Sequence, residues 1–194
     1  VKSIFTDNDT LLFIANTKGL DIINLVTGSK VQHSLNWLPP DNTSSFYGVQ
    51  RIYKDSNSIL WLATSNGIIR VEKPYSLFAK SNHFFQSKDN IPNLIYDLIE
   101  LNKNTLLLAS NKGLLTFDKL TNSATPFGTE SIEVSPNNSS SNLSLIRHGK
   151  YIWVGSRSGI YIFHESGLFH KKLDSKTSSL TNDKVKFLLK DSKE

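Results

Sequence analysis

Residues 60–71 read Leu60-Trp61-Leu62-Ala63-Thr64-Ser65-Asn66-Gly67-Ile68-Ile69-Arg70-Val71. A run of large apolar residues meets a small residue, then a polar turn closed by glycine, then a second apolar run. The pattern occurs four times, at Leu12 to Ile23, Leu60 to Val71, Leu106 to Phe117 and Ile152 to Phe163. Phe13, Trp61, Leu107 and Trp153 hold the same place in each copy, so the copies are spaced by 48, 46 and 46 residues. A period of that size is the sequence signature of a stacked array.

The apolar runs are short, nearly continuous, and rich in β-branched or aromatic residues, as in Tyr151-Ile152-Trp153-Val154. They predict strands covered on both faces. The turns Asn16 to Gly19, Thr64 to Gly67, Ser110 to Gly113 and Ser156 to Gly159 all have one length and all end in Gly. Glycine suits that place because a tight reversal needs positive φ, which a Cβ opposes. A further strand precedes each hairpin, at Lys2 to Thr6, Gly48 to Tyr53, Leu94 to Leu101 and Leu143 to Arg147, and a looser outer segment follows, such as Lys30 to Leu35, Phe78 to Phe85 and Leu168 to Leu173. About four strands per unit, at a period near the ~40–45 residues of propeller repeats, predict an all-β chain of β-propeller blades, each of four antiparallel strands. A helical solenoid is the rival, but no window keeps the i, i+3, i+4, i+7 spacing through a repeat.

The expected division is one β-propeller region over residues 1–194, with repeats of about 1–46, 47–92, 93–140 and 141–179 and the start of another over 180–194. The last of these takes Val185, Phe187, Leu188 and Leu189 as a further inner strand. Both termini then carry inner-strand material, so the expectation is an incomplete arc of a larger propeller, cut from a longer protein. No apolar stretch approaches the ~20 residues of a membrane-spanning helix. The absence of Cys removes disulfides, thiol catalysis and Cys-based zinc sites. The formal net charge of +5 is scattered, with Lys171, Lys172 and Lys176 the nearest thing to a cluster. Nucleic-acid binding calls for a concentrated basic stripe, so no nucleic-acid partner is expected.

The stretch from Val49 through Asp55 to Val71 resembles the two-component regulator propeller repeat, in which an inner strand ends in Asp, a short turn follows, and a Leu-Trp-Ile-Gly-Thr-like strand leads to Gly-Leu and another apolar strand. Asp55 precedes Trp61 by six positions as Asp7 precedes Phe13, and Ile152-Trp153-Val154-Gly155-Ser156 is the nearest copy of the strand. Ile91-Pro92-Asn93 and Leu180-Thr181-Asn182 resemble the element that opens the family's units. The departures are Leu101 and Arg147 in place of the Asp, Ser58 in place of a turn glycine, and Leu107 in place of Trp. The resemblance implies the periplasmic, extracytoplasmic part of a bacterial transmembrane signalling receptor whose histidine kinase or diguanylate cyclase output lies elsewhere. It implies a sensor without chemistry of its own, with the remaining blades, the membrane-anchored receptor domains and a second copy in a homodimer as its partners.

Propellers bind at the mouth of the central channel, where entry loops and second-strand turns gather. The turns here offer Lys18, Asn66, Lys112 and Arg157, and the entry loops offer Tyr47, Asn93 and Asn182. Donors beside an aromatic suit a glycan or a small anionic ligand, although wet hairpin tips select Asn, Lys and Ser without any ligand. His164 and His170 flank a Glu165-Ser166-Gly167 turn, but spacing places no third ligand, so a surface hairpin is the preferred reading and neither metal nor cofactor is expected. Asp21, Glu72 and Asp118 sit near hairpins, yet nothing pairs two carboxylates at a defined distance as acid and base require. Trp61 and Trp153 are expected to pack in the core, and Ser135 to Ser141 to form a loop between blades. The alternatives to a sensor are a protein-interaction scaffold in the cytoplasm and, third, a polysaccharide-active enzyme domain.

Overall fold

The computed structural model describes residues 1–17, 19–34, 48–71, 81–84, 94–128 and 143–191, and every sheet in it is antiparallel and four-stranded. The chain divides into two compact units, Val1–Ile95 and Tyr96–Glu194. The first unit holds a blade of β1 (Ser3–Asp7), β2 (Leu11–Asn16), β3 (Gly19–Asn24) and β4 (Lys30–Ser34), then a blade of β5 (Val49–Lys54), β6 (Leu60–Thr64), β7 (Gly67–Val71) and β8 (Ser81–Phe84). The second holds all but the first residue of β9 (Ile95–Asn102), with β10 (Thr105–Ser110), β11 (Gly113–Asp118) and β12 (Ser123–Pro126), then β13 (Ser144–His148), β14 (Tyr151–Ser156), β15 (Gly159–His164) and β16 (Phe169–Leu173). In each blade the strands lie side by side in chain order. The all-β propeller-blade architecture read from the repeat is therefore what the chain forms. The outer strand β12 is one that the apolar pattern did not single out, because Ser123 to Pro126 is almost wholly exposed.

The predicted glycine turns fall in register. Asn16 pairs with Gly19, Thr64 with Gly67, Ser110 with Gly113 and Ser156 with Gly159. The four glycines have φ of 132°, 99°, 107° and 117°. At Gly159 the need is also spatial, since a Cβ there would lie 2.2 Å from the Leu173 carbonyl oxygen. Ser58, standing in for a turn glycine, takes φ 63°.

The second strands are the centre of each core. In β6 all five residues are buried, and Leu60, Leu62, Phe13, Ala15, Ile52 and Ile69 form one cluster across the two blades of the first unit. In the second unit Leu107, Ala109, Leu145, Ile152, Val154 and Phe163 do the same. Each such side chain contributes about 1.5–3 kcal/mol by leaving water, which is why the runs tolerate no polar interruption.

Within each unit a polar group on the inner strand links one blade to the next. Ser3 Oγ accepts from the Ile52 amide at 3.2 Å, and buried Asp97 accepts from the Leu145 amide at 2.9 Å. Ser144 Oγ accepts from the Leu188 amide at 3.1 Å. The tail therefore takes the place of an inner strand against the fourth blade, with the Val185 amide also donating to the Ser156 carbonyl at 2.7 Å. The expectation of a strand there needs one correction: residues 180–191 join no sheet, and Phe187 and Leu189 remain exposed.

Candidate functional site

The turns after the second strands are stiffened from within. Thr64 Oγ1, Ser110 Oγ and Ser156 Oγ each donate to the carbonyl of the turn glycine, at 2.9, 2.8 and 2.8 Å. Each also accepts the amide of the second loop residue, Asn66, Lys112 or Ser158, at 3.1 Å. The hydroxyl thus bonds one backbone acceptor and one backbone donor of its turn, and the side chains beyond it project from a fixed base.

Of the expected ligand-binding residues, Lys18, Tyr47 and Asn93 lie outside the described residues. Asn66 belongs to the first unit, while Lys112 and Arg157 share the second. Lys112 is exposed at the second loop position, but Arg157 stands at the first, so the two are not equivalent. Arg157 has a buried Nε with no hydrogen-bond partner among the described residues. Its charge acts on Tyr96, on β9 of the neighbouring blade: burial raises the Tyr96 phenol above its usual range, and the Arg157 guanidinium works against that rise. The phenol stays protonated at neutral pH, so Tyr96 and Arg157 together present donors. Tyr96 was missed in the sequence because it sits within an apolar strand, where an aromatic reads as core. Asn182, expected in an entry loop, accepts the Lys184 amide at 2.8 Å and so caps its own turn.

The carboxylates weighed as an acid–base pair are otherwise occupied. Asp21 faces Lys30 at 3.4 Å and Asn16 Nδ2 at 3.2 Å, Asp118 caps its own turn through the Leu120 and Thr121 amides, and Glu72 lies outside the described residues. Among the described residues no three His, Cys, Asp or Glu side chains cluster to hold a metal ion.

Sequence counting also placed Arg147 where the family has Asp, and the register corrects this. Asp7 pairs with Leu11, two residues before Phe13, and His148 pairs with Tyr151, two before Trp153. The hairpin of the fourth blade is shorter, so the residue in the Asp position is His148. Beside it, Ile146, Trp153, Leu188, Leu189, Lys190 and Asp191 line a groove of about 330 Å³. Trp153 was expected to pack in the core; it is only half-buried and forms one wall of this groove.

No family model matches the sequence, and no curated protein matches it. Among solved structures, the chain is similar to the extracellular domain of hybrid two component system BT3049 from B. thetaiotaomicron, with a TM-score of 0.73 at 16% identity over 100% of this chain and 24% of that one. It is similar to the extracellular domain of BT4673 from the same organism, with a TM-score of 0.73 at 18% identity over 99% of this chain and 25% of that one. PorZ, a surface component of the type-IX secretion system of Porphyromonas gingivalis, follows with a TM-score of 0.62 at 17% identity, over 95% of this chain and 28% of that one. This chain spans about a quarter of the length of these structures. The shared element is the fold, and extracellular domains of two-component receptors, the group whose repeat the sequence resembles, are among the proteins that carry it.

Proposed function

We propose that this chain is the ligand-sensing propeller region of the extracytoplasmic part of a bacterial transmembrane signalling receptor, and that it binds rather than catalyses. The observation that carries the reading is the likeness of this chain, over 99–100% of its own length, to about a quarter of the length of receptor extracellular domains. The ligand is a glycan or a small anionic molecule, held by Arg157, Tyr96 and Lys112 through hydrogen bonds in which the protein donates. A cation and a neutral phenol beside two internally stiffened turns favour an acceptor-rich ligand over a cationic one. The extracytoplasmic, periplasmic placement, the homodimer and the membrane-anchored domains belong to the same proposal.

Calorimetry against a panel of acidic and neutral oligosaccharides tests the ligand. Binding that Arg157→Ala and Tyr96→Phe each weaken supports the site. Heat that both variants leave unchanged moves the ligand elsewhere, and no heat from any member of the panel removes the glycan reading. Fusion of the full-length protein to a reporter active only outside the cytoplasm tests the location, and a silent fusion would favour the cytoplasmic scaffold.

A further inference from the structure

We infer that the outer end of the fourth blade is a binding site for a divalent transition-metal ion, with His164 and His170 as its protein ligands. Tyr151 pairs directly with His148 on one side and with His164 on the other, so three strands place His148, Tyr151 and His164 in one transverse row. Cross-strand partners project from the same face of a sheet. The fourth member comes from β16, whose register slips between Ile162 and Phe163, leaving His170 as the extra residue between Phe169 and Lys171. A bulge of this kind re-aims a side chain. Here it brings the His170 ring to 5.3 Å from that of His164, with the two planes at 82°.

That separation suits shared coordination. Two imidazoles bound to one metal through nitrogens at about 2.0 Å, with a tetrahedral angle between them, have ring centres about 5 Å apart. Tyr151 lies 4.9 Å from each histidine ring and braces both. His148 turns toward Trp153, 6.2 Å away, and is not counted among the ligands. Glu165, which follows His164 in the chain, is held by Arg147. Two imidazoles completed by water select nitrogen-preferring ions, with Cu²⁺ bound most tightly and Zn²⁺ less so. The Lys150 ammonium, 5.6 Å from the centre of the Tyr151 ring, opposes an added cation and keeps affinity modest.

The test is titration of the 194-residue chain with Cu²⁺ alone, followed by electron paramagnetic resonance and by competition with a chelator of known affinity. The expected result is one equivalent bound, with hyperfine structure from two nitrogens. His164→Ala and His170→Ala each weaken binding at least about tenfold, while His148→Ala and the double variant His33→Asn/His83→Asn leave it unchanged. Lys150→Gln tightens it several-fold, a gain that loss of folding cannot mimic. Retention of the full signal in the His164→Ala/His170→Ala double variant, in protein of wild-type circular dichroism, overturns the inference, as does its loss in His33→Asn/His83→Asn. Because the readout is metal bound to the fourth blade, failure here leaves the ligand proposed at Arg157 untouched.

Discussion

The second and fourth blades place tryptophan at the same point of the same strand and treat it differently. Trp61 is fully buried, and its indole N–H donates to Asp55 Oδ2 at 2.9 Å. Asp55 Oδ1 meanwhile accepts the amides of Asn57 and Ile59, at 2.9 and 3.0 Å. One buried carboxylate thus ties the turn to the ring. In the fourth blade the turn is shorter, His148 stands in for the carboxylate, and the Trp153 indole nitrogen is buried with no partner among the described residues. The repeat fixes where a side chain stands; the group found there decides whether the place is a lock or an open wall.

Trp61→Ala opens a cavity in a filled core and is expected to cost about 4 kcal/mol in urea unfolding. Trp153→Ala, beside an existing groove, should cost less than half of that. Equal losses would mean that the groove is as tightly packed as the core of the second blade, and the contrast would fall.

Removing the lock itself comes next. Asp55→Ala strands a buried donor and two turn amides, for about 2–3 kcal/mol, whereas His148→Ala should be nearly neutral. The converse variant sharpens the comparison: His148→Asp supplies the Trp153 indole with an acceptor and should stabilise by about 1 kcal/mol. Destabilisation instead would show that the shorter hairpin aims position 148 away from the ring nitrogen.

The links between blades differ in the same way. Lys54 on β5 reaches back 2.7 Å to Asp7, which is 4% exposed, in the blade before it. Arg147, at the corresponding point of β13, reaches back to the Leu101 carbonyl at 3.3 Å and shares an exposed pair with Glu165. Lys54→Ala should therefore cost about 1–2 kcal/mol through the charge it leaves poorly compensated, and Arg147→Ala less than about 1 kcal/mol. A larger loss for Arg147 would reverse the ranking of the two contacts.

These differences mark how far the sequence could be read. Strand number, turn position and the role of the turn glycines follow from the spacing of apolar runs and from positive φ, properties local to a few residues. What spacing hid was register. A hairpin one residue shorter shifts the Asp position from Arg147 to His148, and a bulge at His170 turns a ring toward His164; both depend on pairing between strands that composition does not record. Tyr96 and Asp97 were hidden for another reason. Each sits inside an apolar strand, where an aromatic reads as core and a single acidic residue as a surface position, and only the packed neighbour reveals Asp97 bonding the Leu145 amide. The tail Leu188-Leu189-Lys190-Asp191 echoes Ile52-Tyr53-Lys54-Asp55, a likeness that became visible once Leu188 and Ile52 were seen to make the same hydrogen bond.

The smallest expected effect lies in the third-to-fourth-strand turns of the first and third blades, which share a design but not a charge. Asn24 Oδ1 accepts the amides of Val26 and Thr27 at 2.9 and 3.0 Å, and Asp118 Oδ1 accepts those of Leu120 and Thr121 at 2.8 and 2.9 Å. The Thr121 amide first, and the Leu120 amide next, hold the Asp118 carboxyl below the ordinary Asp range. A depressed value in the folded chain means that the turn gains from Asp118 above the unfolded value of about 3.9 and loses that gain as pH falls through the folded one. Amide exchange at Leu120 and Thr121, corrected for intrinsic rates, should therefore accelerate below about pH 4, while Val26 and Thr27, capped by a neutral side chain, stay level. Asp118→Asn should abolish the acceleration and leave the turn formed. If both turns loosen together on acidification, the carboxylate is not what distinguishes them, and the loss originates in the sheets that the turns connect.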